Sequence, residues 1–230
     1  MRVLVACEES QAVCKAFRAR GHEAYSADIQ DPSGGRPEWH IKGDVLPLIN
    51  GNCSFLTMDG VWHEIAGTWD MLIAFPPCTD LASSGARHFA RKRADGSQER
   101  SKKFFLAFTV ANCPRIVIEN PVGIMSTCYR KPDQIVQPWQ YKDNYQKTTC
   151  LWFIGDVKPL VPYVTEKPDI RYHTWIDKNG KQKRQTQWYY DTRRRGKQRG
   201  KVASKTPAGL AHAMSEQWGV KGRGKPQKAR

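Results

Sequence analysis

No stretch of this chain is apolar for long enough to span a membrane, and its first residues run into a strand-like pattern instead of a signal-peptide core. No Cys-x-x-Cys or Cys-x-x-His spacing occurs among the seven cysteines, Cys7, Cys14, Cys53, Cys78, Cys113, Cys128 and Cys150, and their number is odd. Neither structural zinc nor a disulfide framework is therefore expected, no metal site is assigned, and a reducing cytoplasm is the expected setting. Internal repeats are absent. Acidic residues are few, 22 Asp and Glu against 37 Lys and Arg, for a net charge of +15. The excess is local. Residues 178–230 hold sixteen basic side chains against Asp191 and Glu216, which leaves the preceding residues close to neutral.

Glycine is missing where a phosphate-binding loop would need it. Arg2-Val3-Leu4-Val5-Ala6 reads as a strand. Ser10 to Ala19 reads as a helix with Ala12, Val13, Ala16 and Phe17 on one side, closed by Arg18, Arg20 and Gly21. The joining loop is Ala6-Cys7-Glu8-Glu9-Ser10. Without glycine a backbone cannot approach a pyrophosphate closely, and two acids at a helix N-terminus repel phosphate while suiting the helix dipole. A nicotinamide dinucleotide is disfavoured. A sulfonium cofactor carrying an amino group tolerates the two carboxylates, and simple helix capping is the alternative use for them. A second strand, Glu23 to Ala27, ends at Asp28-Ile29, where a carboxylate can accept both hydroxyls of a ribose. Gly43-Asp44-Val45 offers an acceptor for an adenine amino group.

Two later strands end in reactive groups. Trp69-Asp70-Met71-Leu72-Ile73-Ala74 leads into Phe75-Pro76-Pro77-Cys78-Thr79, where the prolines stop the strand and hold Cys78 at its rim. Ile116-Val117-Ile118 leads into Glu119-Asn120-Pro121, and the intervening segment has room for a crossover helix, Ser101 to Cys113, carrying Phe104, Phe105, Phe108 and Ala111. In an open parallel sheet the carboxyl ends of strands share one crevice, so Cys78 and Glu119 are expected on one edge. Taken singly, Cys78 reads as a small buried hydrophobe and Glu119 as a solvated charge. Together they suit a thiolate nucleophile and a general acid.

A Pro-Cys turn followed by a Glu-Asn pair after the next strand resembles the cytosine-5 DNA methyltransferases. The family usually has Gln where this chain has Thr79, and Val where it has Pro121. The resemblance implies an α/β fold, a doubly wound Rossmann-like sheet that binds S-adenosyl-L-methionine, here with a basic C-terminal extension. It implies that Cys78 adds to carbon-6 of cytosine, that Glu119 hydrogen-bonds or protonates ring nitrogen-3, and that Asn120 braces the turn holding Glu119. Implied cofactor contacts are Cys7, Glu8, Ser10, Asp28, Ile29, Asp44, Val45 and Pro76. Ser84, Arg87 and His88 fall in a small, polar, glycine-containing segment that would close over an extruded base.

The basic run Arg193-Arg194-Arg195-Gly196-Lys197, beside Trp188, Tyr189 and Tyr190, combines cations with flat rings and is expected to bind DNA, double- or single-stranded. The organisation expected is a catalytic core over 1–155, a basic connector over 156–205, a helix over 206–219 with Thr206 as N-cap, and a disordered basic tail over 220–230. A monomer is expected, without membrane association. The span available between core and last helix is too short for a full target-recognition domain, so the resemblance points to a small, phage-type enzyme. An amino-group methyltransferase would need Asp or Asn where Phe75 stands, and a zinc deaminase would need Cys where Leu81 stands. A decayed methyltransferase-like nucleic-acid-binding protein and an RNA pyrimidine methyltransferase are the alternatives.

Overall fold

Short aliphatic runs without polar alternation need cover on both faces, and the computed structural model, which describes residues 1–220, supplies it. In chain order the strands are β1 (Arg2–Ala6), β2 (Glu23–Asp28), β3 (His40–Lys42), β4 (Cys53–Leu56), β5 (Trp62–Ile65), β6 (Met71–Ala74), β7 (Arg115–Pro121), β8 (Gln134–Val136), β9 (Thr149–Gly155), β10 (Tyr172–Ile176) and β11 (Gln182–Thr186). The helices are α1 (Ala12–Arg18), α2 (Phe89–Ala94), α3 (Ser97–Thr109), α4 (Met125–Cys128), α5 (Gln187–Arg193), α6 (Arg199–Ser204) and α7 (Ala208–Trp218).

Seven strands form the central sheet in the order β3-β2-β1-β6-β7-β9-β8. Pairing is parallel from β3 through β7 and antiparallel from β7 to β9 and from β9 to β8. This is a mixed α/β architecture with a mostly parallel sheet, compatible with a Rossmann-like fold. The chain builds outward from β1 to β3 and then returns to β6 on the other side of β1. That reversal makes the carboxyl ends of β1 and β6 the topological switch point, the place where open α/β sheets take ligands.

Alternate residues of each strand serve opposite layers. Val3, Val5, Met71, Ile73 and Val117 pack with Val13 and Phe17 of α1 and with Leu210, Ala213, Met214 and Trp218 of α7. Leu4, Leu72, Ala74, Ile116 and Ile118 pack with Phe105 and Phe108 of α3, with Trp69, and with Phe55 of the β4–β5 hairpin. Each large side chain buried this way contributes ~1.5–3 kcal/mol relative to exposure. The sheet centre is thus a rigid base for whatever its rim carries.

Several expected boundaries shift for local reasons. The crossover helix starts at Ser97, not Ser101, because Gly96 takes the left-handed conformation and Asp95 Oδ1 accepts from Ser97 N–H at 2.9 Å. It ends at Thr109, whose hydroxyl donates back to Leu106 O at 2.7 Å. The first helix begins at Ala12 instead of Ser10, after a left-handed Gln11. Between Gly123 and Pro138, where a plain loop is expected, the four-residue α4 and the three-residue β8 intervene, both too short to show a period. The span 156–205, expected as a basic connector, contains the β10–β11 hairpin, α5 and α6. Of the expected tail over 220–230, residues 221–230 lie outside the described residues. Among the described residues no helix is long and apolar enough to cross a membrane.

The last helix docks on the sheet as its apolar spacing predicts, but Thr206 does not cap it. Pro207 occupies the N-cap, and the Gly209 N–H donates instead to Asp143 Oδ2 at 2.9 Å, a partner 66 residues away. Gly209 is required there, since a Cβ would lie 1.8 Å from Tyr141 O. We expect Asp143→Ala to cost about 1–2 kcal/mol in urea denaturation, as loss of a helix cap does, and Thr206→Ala to cost less than about 0.5 kcal/mol.

Candidate active site at the carboxyl edge of the sheet

The register between β6 and β7 decides the site. Ala74 pairs with Ile118, so Glu119 begins the exit of β7 beside the exit of β6, and Cys78 follows four residues after Ala74. Phe75 N–H still donates to Ala6 O at 2.9 Å, which holds the start of the turn against β1. Beyond Cys78 the chain folds back tightly: Leu81 N–H and Ala82 N–H both donate to Cys78 O, at 3.0 and 2.9 Å. Asn120 is buried, and its amide donates to Pro76 O at 2.8 Å. Asn120 therefore braces the Cys78 turn itself.

Burial first, then the Glu119 carboxylate, holds the Cys78 thiol above its ordinary pKa, while the Lys147 and Lys92 ammonium groups pull it down. Burial raises the Glu119 carboxyl as well, against an opposing pull from Lys147. Cys150, opposite Asn120 on β9, is pushed up to about 11 by burial and by Glu119. One carboxyl group thus acts on two thiols, with Lys147 as the countercharge. Glu119 keeps its proton to higher pH than an exposed glutamate, the state a general acid needs.

The segment after Cys78 is less free than its composition suggests. The Lys92 ammonium donates to Thr79 O and pairs with Asp80 Oδ1 at 3.2 Å, and Ser101 Oγ donates to Asp80 Oδ2 at 2.9 Å. Gln98 Nε2 donates to Asp80 O at 3.1 Å. Ser83 N–H donates to Val122 O and Ile124 N–H to Leu81 O, which ties the segment to the exit of β7. Gly123 permits this approach, because a Cβ there would sit 2.3 Å from Leu81 O. Residues 79–83, at the start of the segment expected to close over a base, are thus tied to α2, α3 and the exit of β7. Ser84, Arg87 and His88 lie beyond this knot on an exposed turn, Ser83–His88, with Arg87 Nε donating to His88 Nε2 at 2.9 Å.

At the end of β1 the missing glycines are replaced by strain. Cys7 and Gln11 have φ of 59° and 56°, left-handed values that cost a non-glycine residue ~1–2 kcal/mol. The Gln11 side chain is buried and clamps the next segment, donating to Arg36 O at 2.8 Å and accepting from Arg36 N–H at 3.1 Å. Glu8 turns inward. Its two carboxyl oxygens accept from Val13 N–H at 2.6 Å and Cys14 N–H at 3.1 Å, and burial lifts its pKa to about 8. Its carboxyl group is thus engaged by the first turn of α1, the helix-capping use that the sequence left as the alternative.

Glu9 is different. It is only 7 % exposed, and its Oε1 accepts no hydrogen bond although the Lys201 ammonium of α6 lies 3.4 Å away. Burial, then Asp28 and Asp44, raise the Cys7 thiol, which puts both carboxylates near the end of β1. Asp28 Oδ1 accepts from Gln30 N–H at 2.9 Å and Asp44 Oδ1 from Leu46 N–H at 3.0 Å. Ser10 Oγ accepts from Ala12 N–H at 3.4 Å. Ile29 is exposed, whereas the Val45 side chain is packed in the core. Pro76 is buried and offers its carbonyl to Asn120.

Arg193, at the end of α5, lies over the Tyr189 ring, Arg194 lies over Tyr190, and Arg195 follows, all exposed. They belong to the C-terminal appendage, not to the Cys78 turn. That appendage meets the core through a face-to-face stack of Trp188 on Tyr145 at 4.5 Å and through the Lys201–Glu9 pair. A separate cleft, lined by Met1, Asp70, Arg115, Lys158 and Trp218, sits where the parallel strands begin, away from Cys78.

No protein-family model matches the chain, and no curated protein matches it. The functional reading therefore rests on these residues. Lys147, Lys92, Asp80, Gln98 and Ser101 surround the site without any sequence signal that singles them out. Only Lys92 stands within a basic run, Arg91-Lys92-Arg93, whose composition suits phosphate contacts and, alternatively, solvated charges.

The electrostatics give a direct expectation for Cys78. Glu119→Gln removes a negative neighbour and should shift the pH midpoint of Cys78 alkylation downward, whereas Lys147→Met should shift it upward. Peptide-resolved mass spectrometry of iodoacetamide labelling separates Cys78 from the exposed Cys128 and reads both shifts.

Proposed function

We propose that the protein is an S-adenosyl-L-methionine-dependent DNA cytosine-5 methyltransferase. The observation that carries the reading is the meeting of Cys78 and Glu119 at the ends of adjacent parallel strands, close enough for one to perturb the other. The Asn120–Pro76 bond supports it, because it couples the carboxyl-bearing strand to the thiol-bearing turn.

The donor set at the β1–β3 ends fits the cofactor. Asp28, Asp44 and the buried, unbonded Glu9 Oε1 are acceptors, suited to ribose hydroxyls and amino groups and unsuited to phosphates. When bound, S-adenosyl-L-methionine supplies an electrophilic methyl group.

Cys78, once deprotonated, forms a bond from sulfur to carbon-6 of cytosine and drives the ring electrons toward carbon-5. Lys147 and Lys92 favour the thiolate, while Glu119, still protonated, donates to ring nitrogen-3 and stabilises the electron-rich ring. Carbon-5 then takes the methyl group. Loss of the carbon-5 proton to water re-forms the ring double bond and expels Cys78 as thiolate, and Glu119 recovers its proton. The target base must leave its stack for a thiol at this rim to reach carbon-6.

The test incubates the purified protein with methyl-labelled cofactor and duplex DNA, then identifies the labelled nucleoside after digestion. Label in 5-methylcytosine is expected, abolished by Cys78→Ser and lowered ~10²–10⁴-fold by Glu119→Gln. Label in no nucleoside of any DNA or RNA offered would remove the reading.

A further inference from the structure

The β10–β11 hairpin carries two large apolar side chains at its tip, Trp175 at 38 % and Ile176 at 72 % exposure. Singly exposed hydrophobes are ordinary. These two are set apart by what stiffens and surrounds them. Asp177 Oδ1 accepts from Asn179 N–H at 2.9 Å and Lys181 N–H at 3.0 Å, and Asp177 N–H donates to Lys181 O at 2.9 Å, so the turn beyond Ile176 is closed. Trp175 stacks on His173 at 6.0 Å, His173 lies face to face with Tyr190 of α5 at 3.6 Å, and Arg194 covers the Tyr190 ring. The tip is thus backed by a continuous column of rings ending in a cation.

The charge around the tip has one sign. Asp177 is turned toward Lys183, 3.7 Å away, which leaves Lys178, Lys181 and Arg184 exposed beside the apolar pair. Arg184 stands opposite Thr174, and Gln182 opposite Ile176, so a polar and a cationic side chain share the face that carries Ile176. A two-stranded ribbon is narrow enough for a DNA groove, and cations flanking an apolar wedge are the combination that grips phosphates while prying apart a base step. The hairpin is also tied to the site edge: Trp188 of α5 stacks on Tyr145, and the Lys147 ammonium donates to Lys205 O at 3.5 Å.

We propose that the β10–β11 hairpin enters a groove of duplex DNA and that Ile176 wedges a base step open, while Trp175 on the opposite face of the ribbon stiffens the tip through its stack on His173. This rests on the proposed function for its purpose, delivery of an extruded base to Cys78, but the binding and unstacking are measured without catalysis. An RNA duplex is disfavoured as the partner because its deep, narrow major groove excludes such a ribbon.

The test uses the full-length chain and duplex DNA carrying 2-aminopurine, whose fluorescence rises when it unstacks, with anisotropy reporting affinity. Wild type and Cys78→Ser should both bind and raise the signal. Ile176→Asp and the Trp175→Ala/Ile176→Ala pair should weaken binding about 10-fold and lose the rise, and in the alanine pair, which changes no charge, the salt slope should stay as in wild type. Lys181→Ala/Arg184→Ala should lower the salt slope by roughly 1–2 and keep the rise at saturating protein. Unchanged thermal unfolding confirms that these exposed substitutions leave the fold intact. Wild-type binding and fluorescence in the Ile176 and Trp175 variants would overturn the proposal, as would equal affinity for duplex RNA. Absence of methyl transfer alongside the expected hairpin results would remove the catalytic reading and leave the wedge standing.

Discussion

The pairing of β6 with β7 is the constraint on which the rest depends. Parallel register at Ala74 and Ile118 brings both strands to the same rim, where β6 gives way to a proline-stiffened turn bearing Cys78 and β7, continuing against β9 alone, presents Glu119. A shift of one residue would turn every side chain of β7 to the opposite layer, so the buried set Ile116, Val117 and Ile118 fixes the carboxyl group along with the core. The Asn120–Pro76 bond then transmits that register to the turn. Packing sets the chemistry here in a literal sense, because the fit of Ile116 and Ile118 into one layer and Val117 into the other determines where the two reactive groups lie.

Placement at a half-buried rim also sets their protonation. Burial disfavours charge on Cys78 and on Glu119, and each proton lost must be offset by a fixed cation; Lys147 and Lys92 are the two that act on the thiol. Lys92 is locked to Thr79 O and Asp80, so it is structural and electrostatic at once. The first loop follows the same logic with different means. It reaches a left-handed geometry at Cys7 and Gln11 without glycine, and it divides its two acids: Glu8 caps α1 from inside, while Glu9 stays buried beside Lys201. The basic appendage is therefore held to the loop by an ion pair and to β9's approach by stacked rings.

Much of this was legible in the sequence. Runs such as Val3 to Ala6 and Ile116 to Ile118 announce strands covered on both faces, and the prolines at 76, 77 and 121 mark where they stop. The juxtaposition of Cys78 with Glu119 followed from the parallel-sheet rule alone. What the sequence hid depends on long-range partners. Nothing local identifies Asp143 as the cap of α7, or Asn120 as the brace of a turn 44 residues away. Lys147 and Lys92 read as surface charges because only the fold brings them to the thiol. Thr79 to Ser83 had a lid's composition, and its hydrogen bonds to Val122 and from Ile124 are tertiary. The basic connector concealed a hairpin because one of its strands, β11, is made of Gln, Lys, Arg and Thr, a composition with weak strand preference.

The central claim is that Cys78 attacks a cytosine while Glu119 stabilises the ring. Duplex DNA containing 5-fluorocytosine blocks the elimination step, so incubation with the protein and S-adenosyl-L-methionine should give an adduct that survives denaturation. Tandem mass spectrometry should place the cross-link on Cys78, and Cys78→Ser should form none. An adduct mapped to another cysteine, or one that persists in Cys78→Ser, would contradict the account.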